Sequence, residues 1–400
     1  MKVLQINSVY QYSSTGRITE ELHLSFKANG IDSYVICTNW ENRNNNIFKV
    51  GNILDCKFHA FMTRVSGLRG YFSQMTTRRI IRIIDSVAPD IIILHNLHNN
   101  YVHVPRLLQY IAKKNIKTIW VLHDCWAYTG GCTHYTIHGC KKWLNGCPMC
   151  EFKKEALSSW FFNASAKLYK DRVNYFSSIK NLTIVGVSDW ITNEAKQSFL
   201  KDIAQRIVRR YNWIDLETFY PRESSELKRK YQIPETSFVV LGVAQTWAED
   251  KGLSHFLNVA EALPDITFVM VGNLTQPVPS NVISVGVLSN VQELAEYNSM
   301  ADVFVNFTQQ ETFGKVSAEA LACGTPVIVN NNTACPEVVG DCGFIIENND
   351  EDACVNAIRH IIKVGKKTYS DKCVNRVREL FSKKLIMKQW FDLLEEIDKS

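Results

Sequence analysis

Runs of consecutive aliphatic residues recur along this chain with helix-length segments between them, and that alternation restricts the fold more than any other feature. In the first half the runs are "KVLQIN", "SYVICT", "DIIILHN", "TIWVLHD" and "LTIVGVSDW", separated by segments such as "RITEELHLSFKANG" and "VPRLLQYIAKKN". A strand with one wet face alternates apolar and polar residues. These runs do not alternate, so both faces are covered, which calls for a parallel sheet with helices on either side. After "RIVRRYNWIDLETFYP" the chain turns polar through "RESSELKRKYQIPETS". A second series then opens with "FVVLGVAQ" and continues through "ITFVMVGN", "VISVGV", "DVFVNF", "PVIVN" and "CGFIIEN". The reading is α/β, with two doubly wound domains over residues 1–212 and 213–380, joined near Trp213 to Arg222. The amphipathic stretch "FSKKLIMKQWFDLLEEI" gives a last helix, 381–400, expected to pack back on the first domain. In open α/β sheets ligands bind beyond the carboxyl ends of the strands, so the loops there should carry the chemistry.

A formal net charge of +5 over 400 residues suits an acidic ligand or an anionic surface. It lacks the dense Lys/Arg stripe of a nucleic-acid binder. The opening "MKVLQINSVY" lacks a cationic segment followed by an apolar core, and no apolar run reaches the ~18 residues of a spanning helix. A cytoplasmic location, with the inner face of the cytoplasmic membrane within reach, is the expectation. In that compartment the 12 cysteines are better read as metal ligands or buried thiols than as a disulfide framework.

The stretch "NFTQQETFGKVSAEALACGTPVIVN" places Glu311 and Glu319 around a small apolar helix that begins near Phe313 and Gly314. A helix N-terminus offers unpaired N–H groups and a positive dipole end, which suit a phosphate, and glycine permits close backbone approach. Glu319 lies roughly 8 Å along the helix from that end, at ~1.5 Å per residue. A carboxylate there repels phosphate but accepts hydrogen bonds from hydroxyls. Ribose hydroxyls, two phosphates and sugar hydroxyls, in that order, make up a nucleotide sugar. Ordinary structural roles stay open beside this: a buried acid paired with Arg or Lys for Glu319, a solvated loop acid for Glu311.

Another cluster, "CTHYTIHGCKKWLNGCPMC", brings Cys132, Cys140, Cys147 and Cys150 together, with His134 and His138 between them. A tetrahedral structural zinc, reduced thiols and two disulfides are all compatible with this spacing; four thiolates would leave a zinc no open position for catalysis. The acids of "DED" at Asp350 to Asp352 begin a helix-like run, where they complement the dipole, and are read as structural rather than as metal ligands.

"ETFGKVSAEALACGTPVIV" resembles the E-x7-E signature of retaining glycosyltransferases of family 4, which have the GT-B fold of two facing Rossmann-like domains with an interdomain cleft. The stretches "NSVYQYSSTGRI", "ILHNLHNNY", "WVLHDCWAYTGGC", "HGCKKWLNGCPMC", "NLTIVGVSDWI", "KGLSHFL" and "ADVFVNFTQQETFG" extend the resemblance to bacterial enzymes of colanic-acid and capsular polysaccharide assembly. The resemblance implies that Glu319 binds the ribose hydroxyls and Glu311 holds hydroxyls of the transferred sugar. Backbone amides of Thr312, Phe313, Gly314 and Lys315 would contact the donor. Lys251 would neutralise the leaving diphosphate. Gly16 would let a first-domain loop approach the phosphates, Arg17 would add charge, and His123 would touch the donor sugar. Three of these also have a plain reading: Lys251 as a solvated turn lysine, Gly16 as a turn glycine, His123 as a strand-end histidine bonded to Asp124.

The resemblance further implies a metal-independent hexosyltransferase that uses a UDP- or GDP-sugar and a lipid-linked saccharide acceptor, in capsule, exopolysaccharide or O-antigen assembly. Two segments that mix aromatic and basic residues, "FHAFMTRVSGLRGYFSQMTTRRIIRII" and "EALSSWFFNASAKLYKDRVNYFSSIK", suit either core-facing helices or peripheral membrane contact. The chain departs from the family in three places. "VAQTWAEDKG" has Asp250 beside Lys251 and no arginine, Asn212-Trp213 replaces Asn-Gly, and Thr333-Ala334 replaces Gly-Gly before Cys335-Pro336-Glu337. Arg17 or Lys315 would then supply the missing charge. A sugar-nucleotide epimerase or hydrolase on this fold, or an inactive GT-B binding subunit, are the alternatives.

Overall fold

The computed structural model describes residues 1–40, 46–288 and 290–399. Ser400, the end of the expected last helix, lies outside the described residues. The chain divides into two compact units. One comprises Met1–Arg210 together with residues from Met387 onward, and the other comprises Tyr211–Ile386.

The first unit is built on a seven-stranded sheet: β1 (Lys2–Ile6), β2 (Asp32–Cys37), β3 (Ile47–Lys49), β4 (Ile91–Leu94), β5 (Lys117–Leu122), β6 (Leu182–Gly186) and β7 (Arg206–Arg209). Their order is β3-β2-β1-β4-β5-β6-β7, and every pairing is parallel. The aliphatic runs are the strands. Val3 and Leu4 register against Ile91 and Ile92, and all four are fully buried, as both-face coverage requires. The winding reverses between β1 and β4, which makes their carboxyl ends the switch point where doubly wound sheets bind ligands. Trp390, Leu393, Leu394 and Ile397 of the helix Lys383–Lys399 are buried. Phe391 meets Phe26 edge-on at 5.9 Å, and Arg206 pairs with Glu396 at 3.0 Å.

The second unit has six strands: β8 (Val239–Thr246), β9 (Thr267–Asn273), β10 (Val282–Gly286), β11 (Val303–Asn306), β12 (Val327–Asn330) and β13 (Gly343–Ile346). They run β10-β9-β8-β11-β12-β13, again all parallel, with the reversal between β8 and β11. No helix among the described residues is long and apolar enough to cross a membrane. The acids of "DED" do cap a helix. Asp350 accepts from the Ala353 amide at 2.9 Å, and Glu351 accepts from His255 Nδ1 at 2.6 Å.

Candidate active site

In the second unit the candidate residues sit on connections leaving the carboxyl ends of β8, β11 and β12, the three strands around the reversal. Lys251 closes a one-turn helix, Glu249–Lys251, after β8. Gly252 follows with φ 73°, a left-handed conformation that starts the helix Leu253–Ala262. A Cβ on Gly252 would stand 2.2 Å from the Cβ of Phe307, so only glycine lets this turn rest on the end of β11. That contact places the Lys251 ammonium 3.3 Å from Thr308 Oγ1 and 3.4 Å from Glu311 Oε1. Both partners of this ion pair remain partly open to solvent.

Buried amides shape the loop that carries Glu311. Asn306 Oδ1 accepts from the Thr308 amide at 3.0 Å. Asn330 Nδ2 donates to the Phe307 carbonyl at 2.8 Å, while its Oδ1 accepts from the Asn349 amide at 3.1 Å. Such paired polar groups fix a loop that would otherwise leave backbone groups unsatisfied. Thr333, where the family has glycine, takes the left-handed conformation all the same, with φ 50°. Its hydroxyl accepts from the Glu311 amide at 3.1 Å, so the side chain that strains the backbone also fastens Glu311. Phe313 is buried between Tyr211 and Phe381, with ring centroids at 5.9 and 5.3 Å. Gly314, with φ 89°, opens the helix Lys315–Ala322, whose N-terminus no side chain caps. Glu319 is the fifth residue of that helix and is 6% exposed. Glu311, Lys251, Thr312, Phe313, Gly314, Lys315 and Glu319 therefore belong to one neighbourhood, built by three adjacent connections.

The first-unit candidates stand at the carboxyl ends of its own strands. Gly16 differs from expectation. It lies within the helix Ser13–Ala28 rather than in a loop, because that helix starts four residues before the apolar repeat suggests. Its carbonyl accepts from the Gln11 amide at 3.2 Å, and a Cβ would press on Val9, Tyr10 and Gln11 at 3.3 Å. Here glycine makes room for the preceding loop. Arg17, next on the helix, is exposed. His123 follows β5 directly and is 9% exposed; burial lowers its pKa to about 4, leaving a neutral imidazole. Beside it, burial pushes Asp124 up to about 6 against the pull of Arg69 and Arg172. His98 Nε2 stands 3.4 Å from the Asp124 carboxylate. His123 Nε2 meets His95 Nδ1 at 2.9 Å. Sequence reasoning did not weigh His95. The signal was present: "IIILHN" and "TIWVLHD" both end an aliphatic run on histidine.

Cys132, Cys140, Cys147 and Cys150 all line one cavity of about 30 Å³, with Gly130, Phe152 and Leu157. The zinc expectation is corrected here. No group of three or more His, Cys, Asp or Glu among the described residues is arranged to hold a metal ion. Burial raises the Cys132 thiol to about 12 and the Cys147 thiol to about 11. The Cys147 sulfur accepts from the Gly130 amide at 3.2 Å. All twelve cysteines are free thiols, so neither disulfide pairing is present.

Comparison with known proteins bears on this arrangement. Residues 237–363 match the family model described as glycosyl transferases group 1, a span that contains Lys251, Glu311 and Glu319. N-acetyl-alpha-D-glucosaminyl L-malate synthase of Bacillus anthracis is 25% identical over 172 residues, 38% of this chain and 43% of that protein. The GDP-mannose-dependent alpha-(1-6)-phosphatidylinositol dimannoside mannosyltransferase of Mycobacterium tuberculosis is 28% identical over 160 residues, 37% of this chain and 42% of that protein. The chain thus matches less than half the length of either relative. Among solved structures, Anabaena Alr3699/HepE in complex with UDP-glucose superposes with a TM-score of 0.66 at 14% identity, over 99% of this chain and 100% of that one. With two Rossmann-like sheets wound alike and the glycosyl transferases group 1 model matched on the second, residues 237–363 are similar to that family's domain, and the chain has the GT-B fold.

Proposed function

We propose that the protein is a retaining, metal-independent glycosyltransferase that moves a hexose-type sugar from a nucleoside-diphosphate sugar to a lipid-linked saccharide. The observation that carries this is the placement, in one unit, of an ammonium, an uncapped helix N-terminus and two carboxylates set on either side of that helix end. The donor diphosphate lies between Lys251 and the amides of Gly314 and Lys315, which meet the negative charge that grows as the bond from the anomeric carbon to phosphate breaks. Glu319, buried and eight residues beyond Glu311, accepts from the ribose hydroxyls, and Glu311 accepts from hydroxyls of the sugar. The new bond to the acceptor oxygen forms on the face that phosphate leaves, and the acceptor's proton passes to the departing phosphate oxygen. The relatives support a nucleotide donor: one is named for GDP-mannose and a structural neighbour was solved with UDP-glucose.

Thermal-shift titration with UDP- and GDP-sugars tests the assignment. A donor at ~100-fold excess over Kd stabilises the native state by about 2.7 kcal/mol. We expect a clear rise in melting temperature for the wild type and its loss in Glu319→Ala. A panel in which no nucleotide sugar moves the wild type, or in which both proteins shift alike, removes Glu319 from the donor site.

The first unit suits a membrane-borne acceptor. A groove of about 850 Å³ opens where β2 and β3 end, lined by Asn39, Lys49, Asn52, Ile53, Leu54 and Lys57, which combine polar, cationic and apolar groups. Ile53, Leu54, Phe58 and Phe61 of the helix Ile53–Ser66 are exposed, as are Trp160, Phe161 and Phe162. Phe61 meets Trp160 at 6.3 Å, and Arg64 lies over the Trp160 ring at 5.9 Å. Exposed aromatics rimmed by Lys and Arg bind anionic bilayers. The location we propose is the cytoplasmic face of the membrane, in capsule, exopolysaccharide or O-antigen assembly. Co-sedimentation with phosphatidylglycerol vesicles should fall at least tenfold in a Phe161→Ser/Phe162→Ser double variant. Equal sedimentation of variant and wild type would remove these residues from the contact.

A further inference from the structure

A guanidinium near the carboxyl ends of the first sheet is fixed by its stem while its outer edge meets no protein group. Arg69 lies in the turn that joins the helix Ile53–Ser66 to the helix Gln74–Val87. His59, fully buried, pins that turn: its Nε2 accepts from the Gly70 amide at 3.3 Å, and its Nδ1 lies 2.9 Å from Ser73 Oγ. The amide only donates, so the neutral ring carries its one proton on Nδ1 and gives it to Ser73. The Gly70 carbonyl accepts from the Val104 amide at 2.8 Å, at the start of the helix Val104–Lys114. Arg69 Nε then donates to the His98 carbonyl at 3.1 Å, in the connection that leaves β4. The residue is partly exposed, and among the described residues its two terminal nitrogens have no hydrogen-bond or ion-pair partner.

The charges around Arg69 do not balance. Arg172, buried on the helix Ser165–Ser177, brings a second guanidinium, 3.9 Å from the centre of the Trp126 ring. Its Nη1 donates to the Thr129 carbonyl, and its Nη2 is buried with no partner among the described residues. The two guanidinium groups repel one another, and both act on one carboxylate, Asp124. That carboxylate is engaged elsewhere. Its Oδ1 accepts from the Trp126 amide at 2.9 Å, and its Oδ2 faces His98 Nε2 at 3.4 Å. A positive surplus held partly away from water is costly, and a ligand of opposite charge relieves it.

We propose that Arg69 is a substrate-binding residue whose outer edge takes an oxyanion of the acceptor, a phosphate of its lipid carrier or a carboxylate on one of its sugars. A guanidinium offers two parallel N–H donors that match the oxygens of either group, where an ammonium offers only a point charge. A neutral pair of hydroxyls would need an open acceptor beside the donor, and both oxygens of Asp124 are already engaged. Giving the oxyanion to the acceptor rests on the proposed transferase reading; oxyanion binding at Arg69 does not.

Calorimetric titration of the full-length protein with geranyl diphosphate and with glucuronate reads the two sources separately. Arg69→Gln should weaken at least one of them about 10- to 100-fold, the range for one charge-assisted contact, and Arg69→Lys should recover only part of it. Loss with the diphosphate alone assigns the carrier phosphate, and loss with glucuronate alone assigns a sugar carboxylate. In the wild type, phenylglyoxal should modify Arg69 and the bound anion should protect it, read by peptide mass; this arm decides if Arg69→Gln fails to fold. Neither anion binding, affinities that ignore Arg69 in both titrations, or equal modification with and without the anion would each overturn the inference. A diphosphate whose affinity falls in Lys251→Met but not in Arg69→Gln is bound in the second unit and counts against the carrier phosphate. The thermal shift by a nucleotide sugar should be unchanged in Arg69→Gln; its loss there would give the oxyanion to the donor and overturn the acceptor assignment. Oxyanion binding at Arg69 in a protein that binds no nucleotide sugar would remove the transferase reading and leave this site standing.

Discussion

Lys251→Met should lower kcat/KM for sugar transfer about 10²- to 10³-fold, the usual effect of removing one preorganised group that meets developing charge. The ammonium is fixed 3.3 Å from Thr308 Oγ1 and 3.4 Å from Glu311 Oε1 before any donor arrives, so little reorganisation accompanies catalysis. The family's neighbouring arginine is missing from "VAQTWAEDKG", which leaves this lysine with more of the task. Lys251→Arg retains the charge and should recover part of the loss. Steady-state kinetics with the donor found by thermal shift provides the measurement. Turnover of Lys251→Met within a factor of about two of wild type would show that the leaving group is neutralised elsewhere.

The largest stability effect should come from the next residue. Gly252→Ala adds a methyl to a backbone at φ 73° and drives it to 2.2 Å from the Phe307 Cβ and 3.1 Å from the Phe307 backbone. Left-handed strain and overpacking against a buried ring add together. We expect a loss of about 3–5 kcal/mol. The urea midpoint should fall sharply at an unchanged slope. A midpoint equal to wild type would mean that the turn does not rest on β11 as described, and the positions of Lys251 and Glu311 would then need revising too.

The residues differ in how much of this could be read from sequence. Continuous aliphatic runs such as "IIIL" announce both-face burial, so two parallel sheets followed from pattern alone. The helix at Lys315 was legible because glycine precedes a run of small residues. What escaped were features set by tertiary approach. Gly16 looked like a turn glycine, yet it is helical, and glycine serves there because the loop at Val9 to Gln11 folds onto it. Thr333 looked like a defect in a glycine position, and only the structure shows its hydroxyl fastening Glu311. Four cysteines at near-ligand spacing shared a cavity without forming a coordination set, since spacing fixes proximity but not the direction of each sulfur. His95 was passed over although it ends an aliphatic run just as His123 does, because only the tertiary approach of β4 and β5 brings the two rings to 2.9 Å.

The first unit is discontinuous: its opening 210 residues are joined in space by Trp390, Leu393, Leu394 and Ile397 from the far end of the chain. During synthesis the whole intervening unit must leave the ribosome before those side chains are available. At ~5–20 residues per second, the nascent first sheet waits on the order of ten seconds or more with that surface uncovered. Chaperone dependence should therefore attach to this half of the molecule, while the uninterrupted second unit can finish folding as it emerges.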